Sequence, residues 1–78
     1  MSNTAQYTHT DMVRIKGAVV FRGRGEKYKC VIQPIEGKRF ICKFIDPVTV
    51  RVRQILEVEG RVISEGSTTV VLESCSLI

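Results

Sequence analysis

The chain has 78 residues, of which 44% are hydrophobic and 26% are charged, and its formal net charge at pH 7 is +4. A chain of this length forms one small domain, and it has no apolar run near the roughly 18 residues that a membrane span requires. The first ten residues, MSNTAQYTHT, lack the basic start and the apolar stretch of a secretory signal. We therefore expect a single soluble domain in the cytoplasm, with no membrane partner.

The charge is distributed unevenly along the chain. Residues 12–53 contain eleven basic and three acidic residues, a balance of +8, whereas residues 54–78 contain one basic and four acidic residues, a balance of −3. This separation predicts a basic side and an acidic side of the surface, an arrangement suited to binding a polyanion. Net charge that serves only solubility is the alternative interpretation.

Little in the sequence predicts catalysis or metal binding. The chain has three cysteines, Cys30, Cys42 and Cys75, an odd number that does not favour a disulfide framework. They lie in apolar runs and are too far apart for a paired-ligand zinc motif, so we expect them to be buried as small hydrophobic residues. His9 lies in a polar segment without a metal-binding cluster and is expected to be solvated. No catalytic triad, carboxylate pair or phosphate loop can be assembled. These observations predict a non-enzyme without cofactor, metal or small-molecule substrate.

The first predicted element follows a polar segment, residues 1–11, that has no periodicity and is expected to form a flexible leader. From Met12 the run MVRIKGAVVFR alternates between apolar and basic residues, then resumes its apolar phase with Val19 and Phe21 after Gly17. A glycine inside a strand commonly marks a bend or bulge. We therefore predict one long strand that bends and contributes to both halves of a curled sheet.

The next two runs, KYKCVIQPI and KRFICKFI, flank a short turn at Glu36 and Gly37, where a glycine accommodates positive φ. They predict a hairpin, with Pro34 near the strand end because proline cannot donate to a ladder. The residues after Asp46 and Pro47 are too few for a stable helix and are rich in β-branched side chains. They predict a connector or a short extended piece.

The last two runs also show strand periodicity. ILEVEGRVIS places Leu56, Val58, Gly60 and Val62 on one side, and TTVVLESCSLI shifts its apolar phase between Leu72 and Cys75, which predicts a bulge. Five strands without a covering helix must bury their apolar faces against each other. Closure into a small barrel achieves this and removes open edges, so the predicted fold is an all-β barrel.

The segments VRIKGAVV, FICKFID, LEVEGRVIS and TTVVLESCSLI together resemble an oligonucleotide/oligosaccharide-binding (OB) fold, and within it the branch related to the anticodon-binding domains of tRNA synthetases. The resemblance covers residues 12–78 and implies a five-stranded, partly open Greek-key barrel. The usual helix between the third and fourth strands is reduced to residues 46–54, so the barrel end must be plugged by Val48, Val50 and Val52. KGAVVF also resembles the first strand of cold-shock proteins, but KYKCVIQ lacks the aromatic-rich segment of that family.

The resemblance implies a binding face on the second and third strands, framed by the loops that join strands 1 to 2 and 4 to 5. Single-stranded DNA or RNA is the implied partner, held largely through its backbone phosphates. Tyr28 is the preferred candidate for stacking on bases, since Phe40 and Phe44 are expected to be core residues in a chain with few large side chains. The phosphate-binding candidates are Arg22, Arg24, Lys27, Lys29, Lys38, Arg39 and Lys43.

The alternative function is a protein-interaction or assembly module. In that interpretation, exposed strand edges near Ile63, Val71 and Leu77 pair with another chain, and the protein is a homo-oligomer that binds no nucleic acid.

Overall fold

The computed structural model describes residues 11–78, and these form five β-strands and no helix. Of the predicted leader, residues 1–11, only Asp11 is among the described residues; His9 lies outside them. The carbonyl oxygen of Asp11 accepts a hydrogen bond from the backbone N–H of Val62. No helix in the described part of the chain is long and apolar enough to cross a membrane. The strands are β1 (Met12–Phe21), β2 (Lys29–Gln33), β3 (Arg39–Phe44), β4 (Ile55–Glu65) and β5 (Thr69–Leu77).

The strands close into one barrel in the order β1-β2-β3-β5-β4. The β3–β5 pair is parallel and the other neighbouring pairs are antiparallel. This arrangement confirms the predicted all-β barrel and is that of an OB-fold-like domain. The predicted hairpin of β2 and β3 is also confirmed, and its turn contains Gly37 at φ 98°.

Strand β1 belongs to both halves of the barrel, as its central glycine predicts. Residues Met12 to Ala18 pair with β4, and residues Ala18 to Phe21 pair with β2. At the crossover, a Cβ atom on Gly17 would lie 2.5 Å from the carbonyl oxygen of Gln33, so the end of β2 approaches too closely for any side chain. The ladder irregularity itself lies further on, between Val19 and Phe21.

Alternate side chains of every strand point inward and form the core. Phe40 and Phe44 are buried, as expected, and so are the three cysteines. Burial raises the pKa of the Cys30 thiol to about 11, so this thiol is protonated at neutral pH.

The predicted bulge in β5 is present. Cys42 pairs with Leu72 whereas Phe44 pairs with Cys75, so β5 has one extra residue between these pairs, and Ser74 has φ 53°.

A connector of residues 45–54 closes the end of the barrel where β3 stops. Val50 is buried with 1% of its surface exposed, and Val48 packs against the core, but Val52 is exposed. The prediction that all three valines plug the barrel is therefore wrong for Val52. The connector turns beside β1, where the N–H of Arg53 donates to the carbonyl of Val19. The N–H of Gln54 donates to the carbonyl of Arg51, so Val52 and Arg53 (φ 81°) form the middle of a turn, and Val52 is exposed there.

Candidate nucleic-acid interface

The outer face of the β2–β3 hairpin carries polar and apolar side chains in successive cross-strand pairs. Lys29 lies opposite Lys43, and Val31 lies opposite Ile41. At the far end, the Arg39 guanidinium donates from Nε to the side-chain oxygen of Gln33 at 3.2 Å. Arg39 and Lys43 are four residues apart on one strand, so about 13 Å separates the Cα atoms at the two cationic ends of this face.

Apolar side chains form a continuous row across the middle of this face. Phe21 of β1 pairs with Val31, Val31 with Ile41, and Ile41 with Val71 of β5. Val31, Ile41 and Val71 are partly exposed, and Phe21 is 62% exposed. These four residues, here called the apolar row, form a solvent-exposed apolar strip between the cationic ends of this face.

A groove of about 370 Å³ lies at one end of the apolar row. Phe21, Val31 and Ile41 line it from the strands, and Gly23 and Glu26 line it from the loop of residues 22–28, here called loop 1–2. Lys29 contributes the cationic side chain to the lining of this groove. Its volume lies at the lower end of the ~300–1,000 Å³ typical of sites that hold small organic groups.

Glu26 organises loop 1–2 through three hydrogen bonds. Its Oε2 atom accepts from the backbone N–H of Tyr28 at 2.9 Å, and its own N–H donates to the carbonyl of Gly23 at 3.0 Å. Its carbonyl accepts from Nη1 of Arg22 at 3.4 Å. The loop is also fixed to the connector, because the N–H of Val48 donates to the carbonyl of Lys27. The residues that line the groove therefore belong to a loop held at several points.

Most of the predicted site residues lie at this end of the barrel. Arg22, Arg24, Lys27 and Tyr28 belong to loop 1–2, Lys29 opens β2, and Lys43 faces Lys29 across the ladder. All of them are exposed except Arg22, which is partly buried. Of these residues Lys29 lines the groove, while the others lie in the adjoining loop or, for Lys43, across the ladder from Lys29.

Lys38 and Arg39 lie at the opposite end of the hairpin. Lys38 is paired, since its Nζ atom lies 2.6 Å from Oε2 of Glu65 on β4. Arg39 borders a second hollow of about 500 Å³, which is lined on its other side by Ser67, Thr68 and Thr69. The backbone N–H of Arg39 donates to the carbonyl of Thr68, which fixes β3 to the loop that joins β4 and β5.

Basic residues of strands β1 and β4 lie opposite acidic ones. Arg14 and Lys16 of β1 lie opposite Glu59 and Glu57 of β4, and Arg61 lies opposite Glu73 of β5. Opposite charges in direct cross-strand pairs attract, whereas like charges repel. The hairpin face is thus the place where paired ladder positions concentrate positive charge.

Comparisons of the chain with protein-family models, curated proteins and solved structures found no match. Among residues 11–78 there is no group of three or more histidine, cysteine or acidic side chains arranged to hold a metal ion. The candidate interface must therefore be judged from its own geometry.

The sequence pattern assigned Phe21, the exposed aromatic side chain at the β1 end of the apolar row, to the wrong side of its strand. Alternation from Val19 predicts that Phe21 points inward, but the register shift between these residues turns Phe21 outward. Tyr28, the predicted stacking residue, is 51% exposed just before β2. The run of apolar residues 18–21 also indicates a bulge in this strand, because strict alternation cannot bury all of them.

Proposed function

We propose that the protein binds single-stranded nucleic acid along the outer face of β2 and β3. Phosphates lie against the cations of loop 1–2 and of the Lys29–Lys43 pair, and bases lie on the apolar row. The observation that carries this proposal is the exposed side chain of Phe21 in the same groove as Lys29, which lies opposite Lys43 in the ladder.

The lysine pair supports the proposal on electrostatic grounds. Two ammonium groups in direct cross-strand positions repel, and such pairs destabilise a sheet by roughly 0.2–1 kcal/mol. In the described residues, neither lysine forms an ion pair with a carboxylate. A phosphate placed between them relieves the repulsion and releases counterions from the nucleic acid, which favours binding.

The apolar row supports an unpaired strand rather than a duplex. Bases in a duplex are stacked on each other, so a duplex offers phosphates and groove edges to a protein. Unpaired bases expose their faces, and each base stacked on an aromatic side chain contributes about 1–3 kcal/mol. Phe21, with the neighbouring aliphatic side chains, provides such a surface. Nucleic-acid-binding OB folds use the same face of the barrel, which supports the proposal by analogy.

Fluorescence anisotropy with a short labelled oligonucleotide tests the proposal. We expect affinity in the micromolar range at low salt, and, for about four phosphate contacts, a slope of log affinity against log salt near −3. Lys29→Gln should weaken binding and reduce the magnitude of the slope by about 0.7. Lys16→Gln is the matched control, since Lys16 lies opposite Glu57 on another face. No binding at micromolar protein in low salt would contradict the proposal.

Assembly with a second copy is the other candidate function. Strands β4 and β5 are paired on both sides in the closed barrel, so assembly has to use exposed side chains rather than open edges. Ile45, Leu77 and Ile78 are exposed at 64%, 46% and 57%, close to a hollow of about 250 Å³ between the ends of β3 and β5. Sedimentation velocity tests this candidate: a stable multimer without oligonucleotide affinity favours it over nucleic-acid binding.

A further inference from the structure

Among the described residues, the groove beside Phe21 is lined by one carboxylate, one lysine and several apolar side chains. Glu26 lines it together with Lys29, Val31 and Ile41. A carboxylate repels phosphate, so its presence weakens rather than strengthens contact with the nucleic-acid backbone. Glu26 nevertheless lines the same groove as Phe21, so its carboxylate is within the site that a base stacked on Phe21 would occupy.

The hydrogen bonds of loop 1–2 fix the orientation of this carboxylate. Oε2 accepts from the backbone N–H of Tyr28, and the second oxygen, Oε1, accepts no hydrogen bond from residues 11–78. The backbone of Glu26 is held in turn by Gly23 and Arg22. A polar group held in this way discriminates between ligands better than a mobile one, because its geometry is set before binding.

We propose that Glu26 selects the base that occupies the groove, favouring cytosine over thymine or uracil. This inference rests on the proposed function. Oε1 accepts a hydrogen bond from the exocyclic amino group of the base, and Glu26 thereby acts as a specificity-determining residue at a site that otherwise binds any sequence.

The preference follows from the donor and acceptor pattern of the pyrimidines. Cytosine presents the amino group N4–H₂ as a donor, whereas thymine presents the acceptor O4 at the same position. An ionised carboxylate only accepts hydrogen bonds. Cytosine therefore gains a charge-assisted hydrogen bond, while thymine brings two acceptors together, and we expect a preference of about tenfold.

Glu26→Gln makes the sharpest test, because it changes one atom of the groove and preserves the loop. The amide oxygen can still accept from the N–H of Tyr28, which leaves the amide NH₂ in the position of Oε1. An NH₂ group donates to O4 of thymine and has no acceptor to meet on N4 of cytosine. The substitution should therefore reverse the preference.

The experiment measures affinity for oligo(dC) and oligo(dT) of equal length at one salt concentration and pH 7.5, for the wild type, Glu26→Gln and Glu36→Gln. Glu36 is exposed in the β2–β3 turn, so the control removes the same charge away from the groove. We expect the wild type and Glu36→Gln to bind oligo(dC) about tenfold more tightly, and Glu26→Gln to bind oligo(dT) at least as tightly as oligo(dC).

The outcomes separate this inference from the proposed function. Equal wild-type affinity for the two oligonucleotides, or a preference that Glu26→Gln leaves unchanged, overturns the role of Glu26 while leaving single-strand binding in place. Absence of wild-type binding to both oligonucleotides overturns the proposed function and this inference with it. Because the wild-type ratio is informative alone, the test does not depend on the folding of the variant.

Discussion

Two faces of this barrel carry exposed basic side chains, but the residues that lie opposite them in the ladder differ in charge. On the β1–β4 face, Arg14 and Lys16 lie across from Glu59 and Glu57; on the β2–β3 face, Lys29 lies across from Lys43. Both faces present exposed basic side chains, but among residues 11–78 the second face is the one that places two of them opposite each other and has an exposed aromatic ring nearby. Strand register, rather than the number of basic residues, therefore determines where this protein can attract an anion.

The two faces are joined by β1, so a substitution at Gly17, where they meet, should have the largest effect on the stability of the fold. Gly17→Ala places a Cβ within 2.5–2.7 Å of backbone atoms of Gln33 and Pro34, which cannot give way as a flexible side chain does. We expect a loss of about 3 kcal/mol or more in the free energy of unfolding, measured by urea denaturation.

Gly66→Ala is the control for this effect. Its Cβ would meet the carbonyl oxygen of Thr69 at 3.5 Å, an ordinary contact, and its φ is not positive. A small change, within about 0.5 kcal/mol, is expected there. Equal stability of the two variants would show that the close approach of β2 to β1 is not needed to hold the faces together.

The aromatic ring is the second difference between the faces. Phe21→Ala should cost about 1–3 kcal/mol of binding free energy if one base stacks on the ring. The salt slope should stay the same, because no phosphate contact is removed. Anisotropy titrations at several salt concentrations measure both quantities.

Ile35→Ala is the matched control for Phe21. Ile35 is fully exposed but lies outside the groove beside Phe21. Its loss should leave affinity unchanged. If both variants weaken binding equally, the effect arises from general surface hydrophobicity and not from the apolar row.

Substitutions that give each face the cross-strand charge pairing of the other should change stability least. They also compare the two faces most directly. Lys43→Glu places a carboxylate opposite Lys29, which reproduces the arrangement of Lys16 and Glu57. We expect it to stabilise the fold by roughly 0.2–1 kcal/mol while weakening oligonucleotide binding and reducing the magnitude of the salt slope by about 1.4.

The reciprocal change, Glu57→Lys, places two lysines in register on the β1–β4 face. It should destabilise the fold by a similar amount without shifting the binding site, because residues 11–78 place no exposed aromatic side chain on that face. Urea denaturation and anisotropy together test both substitutions. A gain in binding by Lys43→Glu would refute the role assigned to the lysine pair.

The fold followed closely from the sequence because its signals are local. Period-two alternation identified the strands, Gly17 marked the strand shared between the two halves, and the change of phase before Cys75 marked the bulge in β5. The burial of Phe40 and Phe44 followed from the need to fill a small interior. The prediction was wrong for Val52 because this residue lies in the middle of the turn that the hydrogen bond from Gln54 to Arg51 closes, a feature that the spacing of the valines does not indicate.

The candidate site was predicted less completely, since it depends on register between distant strands. The sequence indicated the basic segment but not that Lys38 pairs with Glu65, nor that Lys29 faces Lys43. The outward turn of Phe21 depends on an irregularity that alternation alone does not locate. Glu26 gave no signal, because its importance comes from loop hydrogen bonds and a groove that exist only in the folded chain.

NMR chemical-shift mapping during titration with a single-stranded oligonucleotide tests the central claim most directly. We predict that the largest shifts occur at Phe21, Lys29, Val31, Ile41 and Lys43 on the β2–β3 face, with little change at Arg14 and Lys16. Shifts of equal size around the whole circumference of the barrel, or concentrated on the β1–β4 face, would contradict the account.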